Sequence, residues 1–198
     1  MIPVLAVEDP AAARDRLAKD LGFAPMAAGK MALGGSRVAV VRAGDVPPGM
    51  LRMRLDHVAF ATADADRSCA DLLARGAALA PAFTPDGPRD IPEFWDSGVR
   101  FVFFAGPEGW PVEFCARNGT PGRTGHDHYA IRTPELVPMA KRLAALGAET
   151  IATHRLSPAT GPVEVRFLAL GDTMFELFDE GPFPEPDPDL GWIGLISG

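Results

Sequence analysis

The sequence lacks the features that would mark a membrane, secreted or nucleotide-binding protein. No apolar run approaches the roughly 18 residues that a helix needs to cross a bilayer. The only two cysteines, Cys69 and Cys115, are too few for a disulfide framework and suit buried thiols in a reducing compartment. The sequence shows neither a glycine fingerprint for a dinucleotide nor a phosphate loop. The N-terminus has no basic region ahead of its short apolar run, so we expect a cytoplasmic protein.

Basic residues are fewer than acidic residues. The 198-residue chain has 19 Lys and Arg against 26 Asp and Glu, which gives a formal net charge of −7. No basic cluster stands out that would contact a nucleic-acid backbone or an anionic membrane surface, so we expect neither as a partner. The composition is that of a globular protein, with 47% hydrophobic and 23% charged residues.

A pattern of strand, acid, helix and glycine occurs three times. Each apolar segment runs to an acidic residue, and the helical segment that follows ends at a glycine after a nearly constant distance. The acid and glycine pairs are Asp9 and Gly22, Asp64 and Gly76, and Glu135 and Gly147. Acids complement the dipole at a helix start, and glycine adopts the left-handed conformation that ends a helix. The repeat therefore predicts three related units.

Strand-like runs after the glycines define the predicted domains. The second and third copies are each followed by three such runs and are interpreted as βαβββ modules over 51–118 and 122–182. The first copy, over 1–48, is interpreted as a truncated βαββ half-module. The proline-rich and acidic end, 183–198, is predicted to be a C-terminal arm.

Each full module carries one histidine and one glutamate at matching places. His57 and His128 open the first strands, whereas Glu113 and Glu176 lie inside apolar last strands. A carboxylate buried in an apolar strand is costly unless a cation or strong hydrogen bonds compensate it. We therefore predict that these four side chains bind one divalent metal ion, and two imidazoles with two carboxylates suit Zn, Ni, Co, Mn or Fe. Ile2 stands at the matching place in the first copy, which has no metal ligands.

Two segments resemble the vicinal oxygen chelate superfamily, which includes glyoxalase I, methylmalonyl-CoA epimerase, extradiol dioxygenases and bleomycin-resistance proteins. Residues 55–60, LDHVAF, are similar to the first strand of its module, and residues 104–114, FAGPEGWPVEF, to its last hairpin. The resemblance covers 51–180 well and 1–46 partly. It implies an α+β fold in which repeated βαβββ modules form an open, curved mixed β-sheet around a metal-binding cavity. The family's metal ligands fall on His57, Glu113, His128 and Glu176.

The resemblance also implies an activity. We expect a metal-dependent lyase or isomerase that acts on a small carbonyl or hydroxy-carbonyl substrate, with Glu113 or Glu176 moving a proton. One alternative is an Fe(II) extradiol-type ring-cleavage dioxygenase that uses His57, His128 and Glu176. Another is a non-catalytic protein that binds a small molecule such as a drug. A homodimer is expected in each case.

Three further residues are candidate substrate contacts. By strand alternation Arg132 shares a face with His128 and is predicted either to hold an anionic substrate or to form a salt bridge at the rim. His126 is predicted on the same face, as a rival ligand or a neighbour of the ligands. Trp110 is a candidate contact, with a place in the core or the pocket wall as its alternative. The segment 90–96 is predicted to cover the cavity.

Overall fold

The chain folds as three units whose strands pair in a similar order. The computed structural model describes residues 2–33, 36–46, 51–106, 108, 110–120, 122, 124–157, 161–178 and 192–196. The helices are α1 (Pro10–Leu21), α2 (Ala65–Ala74) and α3 (Leu136–Ala145). The strands are β1 (Ile2–Val7), β2 (Ala24–Pro25), β3 (Lys30–Leu33), β4 (Ser36–Arg42), β5 (Arg52–Ala61), β6 (Arg89–Ile91), β7 (Val99–Ala105), β8 (Pro111–Arg117), β9 (Gly125–Arg132), β10 (Glu149–Leu156), β11 (Val163–Leu170), β12 (Thr173–Phe178) and β13 (Trp192–Ile196).

The helices begin and end largely where the repeated pattern predicts. The Asp9 carboxylate accepts the N–H groups of Ala11 and Ala12, and the Asp64 carboxylate accepts the N–H of Arg67. Glu135 makes no side-chain cap of this kind. Gly22 ends α1 in the left-handed conformation, with φ of 76°. None of the described helices is long and apolar enough to cross a bilayer.

The second and third units join into one curved eight-stranded sheet. In each unit the first strand pairs in parallel with the last, and the two middle strands follow in antiparallel order. The units meet through antiparallel pairing of β5 with β9, which gives the order β6-β7-β8-β5-β9-β12-β11-β10. The α+β class and the open, curved mixed sheet are therefore confirmed, and the two units pair within a single chain.

The first unit is short, but its strand order is the same as that of the other two. Strand β1 pairs in parallel with β4, β4 pairs with β3, and β3 pairs with the two-residue strand β2. The first unit is therefore a βαβββ unit with a very short second strand, and not the truncated βαββ unit that the sequence predicted. The prediction missed β2 because a two-residue strand is too short to leave a sequence pattern. Most of the predicted arm, 183–198, lies outside the described residues, but 192–196 forms β13 between β1 and β5.

The sheet has one side that faces helices and one that faces a cavity. Phe60, Tyr129 and Phe175 pack with residues of α1 and α3 in the main core cluster. On the other side, Ala59 and Phe167 belong to a second cluster that surrounds the cavity. In the first unit Ile2, at the place that corresponds to the histidines, packs with Val4 and Ala39 in a small apolar cluster. This unit therefore has no ligands at the matching places.

Candidate metal centre

Four buried side chains converge on one point, each from a different strand. His57 comes from β5, Glu113 from β8, His128 from β9 and Glu176 from β12, and each residue is only 5–6% exposed. The Nε2 atoms of the two histidines are 3.3 Å apart. His57 Nε2 lies 3.2 Å from Glu113 Oε2 and 3.5 Å from Glu176 Oε2. His128 Nε2 lies 3.5 Å and 3.1 Å from the same two oxygens.

These separations fit a single metal ion. Bonds of about 2.0–2.2 Å to imidazole nitrogen and carboxylate oxygen place neighbouring ligand atoms roughly 3.0–3.5 Å apart in tetrahedral or octahedral geometry. His57, Glu113 and His128 form a group whose ligand atoms all lie within 4.8 Å of one another. Glu176 adds a fourth oxygen next to both imidazoles. The structure therefore brings together all four side chains predicted as ligands, and His57, Glu113 and His128 form a group that could hold a metal.

A β-bulge beside each histidine aims its ring. The pairing of β5 with β9 shifts by one residue at Asp56 on β5 and again at Asp127 on β9. The extra residue of a bulge interrupts the alternation of faces, so each aspartate lies beside the histidine that follows it. The Nδ1 atom of His57 donates to Asp56 Oδ1 at 2.8 Å, and that of His128 donates to Asp127 Oδ1 at 3.1 Å. Each ring thus presents Nε2 to the cluster.

An arginine from another strand contacts each of these aspartates, Arg132 from the adjacent strand β9 and Arg117 from β8, which lies on the far side of β5. Arg132 Nη2 lies 2.6 Å from Asp56 Oδ2, and Arg117 Nη2 lies 3.5 Å from Asp127 Oδ1. Arg132 lines the cavity as predicted, and of its two predicted roles the salt bridge is the one that the geometry shows. Carboxylate partners of this kind fix the tautomer and the orientation of a ligating imidazole.

The sequence interpretation missed both aspartates. Their signal is the Asp-His dipeptide, which occurs at 56–57 and again at 127–128, the equivalent place in the next unit. Alternation alone assigns each aspartate to the face opposite its histidine, and a bulge of one residue leaves no mark in the composition.

The electrostatics of the cluster favour positive charge on the imidazoles. Burial disfavours the charged form of His57, but hydrogen bonds to Asp56 and Glu113 and their charge raise its pKa to about 9. Burial likewise opposes the charge of His128, but the charge of Glu176 and the hydrogen bond to Asp127 raise its pKa to about 10. Two carboxylates therefore hold two imidazolium protons at a place where a divalent cation would supply the same charge.

The structure does not bring His126 and Trp110 into this site. The bulge at Asp127 turns His126 to the helix-facing side, where its ring centroid lies 4.3 Å from that of Tyr129. The predicted face of His126 is thus wrong. Burial and the neighbouring charge of His128 lower the pKa of His126 to about 3. Trp110 packs against the main core cluster, which corresponds to its alternative role, and neither residue lines the cavity.

A cavity of about 280 Å³ adjoins the four ligands. Of the segment 90–96, predicted to cover the cavity, Ile91, Phe94 and Trp95 line it, and the rings of Phe94 and Trp95 contact His154 of β10, the opposite edge strand. The backbone N–H of Trp95 donates to His154 Nε2 at 3.5 Å, and the centroids of the two rings lie 5.4 Å apart. Cys115 also lines the cavity, and burial raises the pKa of its thiol, which is therefore neutral at pH 7.

Comparison with known proteins finds solved structures of similar fold but no match by sequence. No family model and no curated protein matches the sequence. Among solved structures, a glyoxalase I mutant from Zea mays superimposes with a TM-score of 0.63 and 16% identity over 93% of this chain and 68% of that chain. Glyoxalase I from Zea mays without the mutation gives a TM-score of 0.60 and 16% identity over 89% of this chain and 65% of that chain.

A methylmalonyl-CoA epimerase from Mycobacterium tuberculosis aligns over 71% of this chain and 97% of that chain, at 20% identity and a TM-score of 0.49. The similarity to glyoxalase I spans nearly the whole chain and includes both ligand-bearing units. The resemblance predicted from the sequence is therefore confirmed at the level of the fold, because the chain has a fold similar to that of glyoxalase I.

Proposed function

We propose that this chain is a metal-dependent lyase or isomerase of the glyoxalase and epimerase kind that acts on a small carbonyl or hydroxy-carbonyl compound. The observation that supports it is the convergence of two imidazole nitrogens and two carboxylate oxygens, with contacts of 3.1–3.5 Å, beside a cavity. The proposed cofactor is one divalent ion, Zn, Ni, Co, Mn or Fe. The homodimer stays a prediction.

Different residues would hold the metal ion and transfer the proton. His57 and His128 would hold the ion through Nε2, because Nδ1 of each ring already donates to an aspartate. A bound divalent ion supplies Lewis-acid polarisation of a substrate carbonyl. Glu113 and Glu176 come from the two units, and either carboxylate can take a proton from the carbon next to that carbonyl and return it. The aromatic walls of the cavity would reduce the access of water to this transfer.

The two other hypotheses draw less support from the ligand set. A ring-cleavage dioxygenase needs open metal positions for both O₂ and the ring, and four protein ligands leave fewer of them. A protein that only sequesters a small molecule has no need of four converging ligands. Oxygen uptake by the iron-loaded protein with catechols would support the first of these alternatives instead.

Metal content gives a direct test of the ligand set. Protein purified without added metal should contain close to one divalent ion per chain, and His128→Ala should lower the affinity by more than about 100-fold. This limit follows because the loss of an outer hydrogen-bonding partner already costs about 10–100-fold. His154→Ala is the matched control, since His154 contacts Trp95 and lies outside the four ligands. Unchanged metal content in His128→Ala would contradict the proposal.

The two aspartates should tune the site without being ligands. Asp56→Asn and Asp127→Asn each remove the negative partner of an Nδ1–H group, so each should weaken metal affinity by about 10–100-fold. Asp86→Asn, at an exposed position, serves as the control. Competition with a chromophoric chelator measures all three affinities. Equal affinities in the three variants would show that the bulged aspartates do not act on the histidines.

The stability of the metal-free protein should depend on pH in a defined direction. The pKa values of His57 and His128 rise from about 6.5 to about 9 and 10 on folding, so their contribution is complete below pH 6.5 and is lost as the pH rises through 9–10. The melting temperature of the chelator-treated protein should therefore fall between pH 6.5 and 10. The double variant His57→Gln, His128→Gln should lose most of this slope, and the same slope in both proteins would refute the assignment.

A further inference from the structure

The charged and imidazole side chains that line the cavity are already engaged with one another. Among the described residues, the polar ones belong to the four ligands or to the two aspartate–arginine pairs, and they are Asp56, His57, Glu113, Arg117, Asp127, His128, Arg132 and Glu176. The other lining side chains are aromatic or aliphatic, together with the neutral thiol of Cys115. Outside the ligand cluster and the two ion pairs, a substrate therefore meets hydrocarbon side chains and the Cys115 thiol.

The charges of this lining cancel. Asp56 faces Arg132, and Asp127 faces Arg117, whose guanidinium also lies 3.7 Å from the centre of the Trp95 ring. The two glutamates balance a divalent ion. Each arginine that lines the cavity faces an acidic partner, so a substrate carboxylate or phosphate would have to share its guanidinium with a carboxylate of the protein.

Aromatic rings stand on both sides of the ligands. Phe103 of β7 packs edge-on against His57, with centroids 4.9 Å apart, and Phe167 of β11 packs edge-on against His128 at 5.6 Å. Trp95 lies against Phe167, with centroids 5.0 Å apart. Rings placed in this way make edge and face contacts with a flat hydrocarbon group between them.

The size of the cavity limits what it can enclose. Its volume of about 280 Å³ lies at the lower end of the roughly 300–1,000 Å³ typical of pockets that bury a drug-sized ligand. A nucleotide-bearing thioester or a peptide conjugate cannot be enclosed whole in this space.

From these observations we propose that the substrate is an uncharged carbonyl or hydroxy-carbonyl compound whose body is a single flat apolar group about the size of one ring. This inference rests on the proposed function, because it places the oxygen atoms of the substrate at the ligand cluster. It also assigns Arg132 to the support of His57 rather than to an anionic substrate.

Three hydroxamates that share one metal-binding group test the proposal. Calorimetry on the zinc-loaded protein should show that benzohydroxamate binds at least about tenfold more tightly than acetohydroxamate, because it buries a ring. 4-Carboxybenzohydroxamate should bind about tenfold more weakly than benzohydroxamate, since its carboxylate finds only paired arginines. Tighter binding of the carboxylate compound, or equal binding of the first two, would overturn the inference.

A pair of phenylalanine variants controls for general effects on the fold. Phe101 lines the cavity, whereas Phe114 packs on the other side of the sheet, and both are partly buried. Phe101→Leu should reduce the preference for benzohydroxamate severalfold, and Phe114→Leu should leave it unchanged. The reverse result would contradict the assignment of the aromatic walls.

The zinc content of each sample separates the two proposals. Stoichiometric zinc without a preference for the ring contradicts the substrate class alone. Failure to bind zinc contradicts the proposed function, together with the premise on which the substrate class rests.

Discussion

The candidate metal centre depends on one electrostatic constraint, the burial of two imidazoles and two carboxylates within hydrogen-bonding distance of one another. Buried carboxylates this close together are stable only if positive charge lies between them. Protons on His57 and His128 supply that charge in the metal-free protein, which explains why their pKa values rise despite burial. A divalent ion would supply the same charge without protons, and it would also act as a Lewis acid.

The fold meets this constraint through repetition. The pairing of β5 with β9 sets His57 opposite Ala130 and His128 opposite Ala59, so the two histidines are related by the approximate symmetry of the two units. Parallel pairing with β8 and β12 brings in one glutamate from each side. The same strand order in the first unit carries Ile2 and an apolar cluster instead, so the fold itself does not require the ligands.

Much of this arrangement could be predicted from the sequence, because it follows from periodicity. Matching His and Glu positions in two units predicted that the four side chains converge, and the acid and glycine signals predicted the helices. The bulges at Asp56 and Asp127 could not be predicted, because one inserted residue in a strand has no compositional signature. The shift at Asp127 explains the wrong face for His126, and the two shifts together explain the unrecognised aspartates. Likewise, the two-residue β2 was too short to detect.

The central claim is that one divalent ion lies between His57, Glu113, His128 and Glu176. Anomalous X-ray diffraction from crystals grown without added metal tests it most directly, because it locates the ion and names the element. The account predicts a single anomalous peak about 2.0–2.2 Å from Nε2 of both histidines. A fully occupied peak bonded to other residues, or crystals in which the four side chains pair with one another and no peak is present, would contradict it.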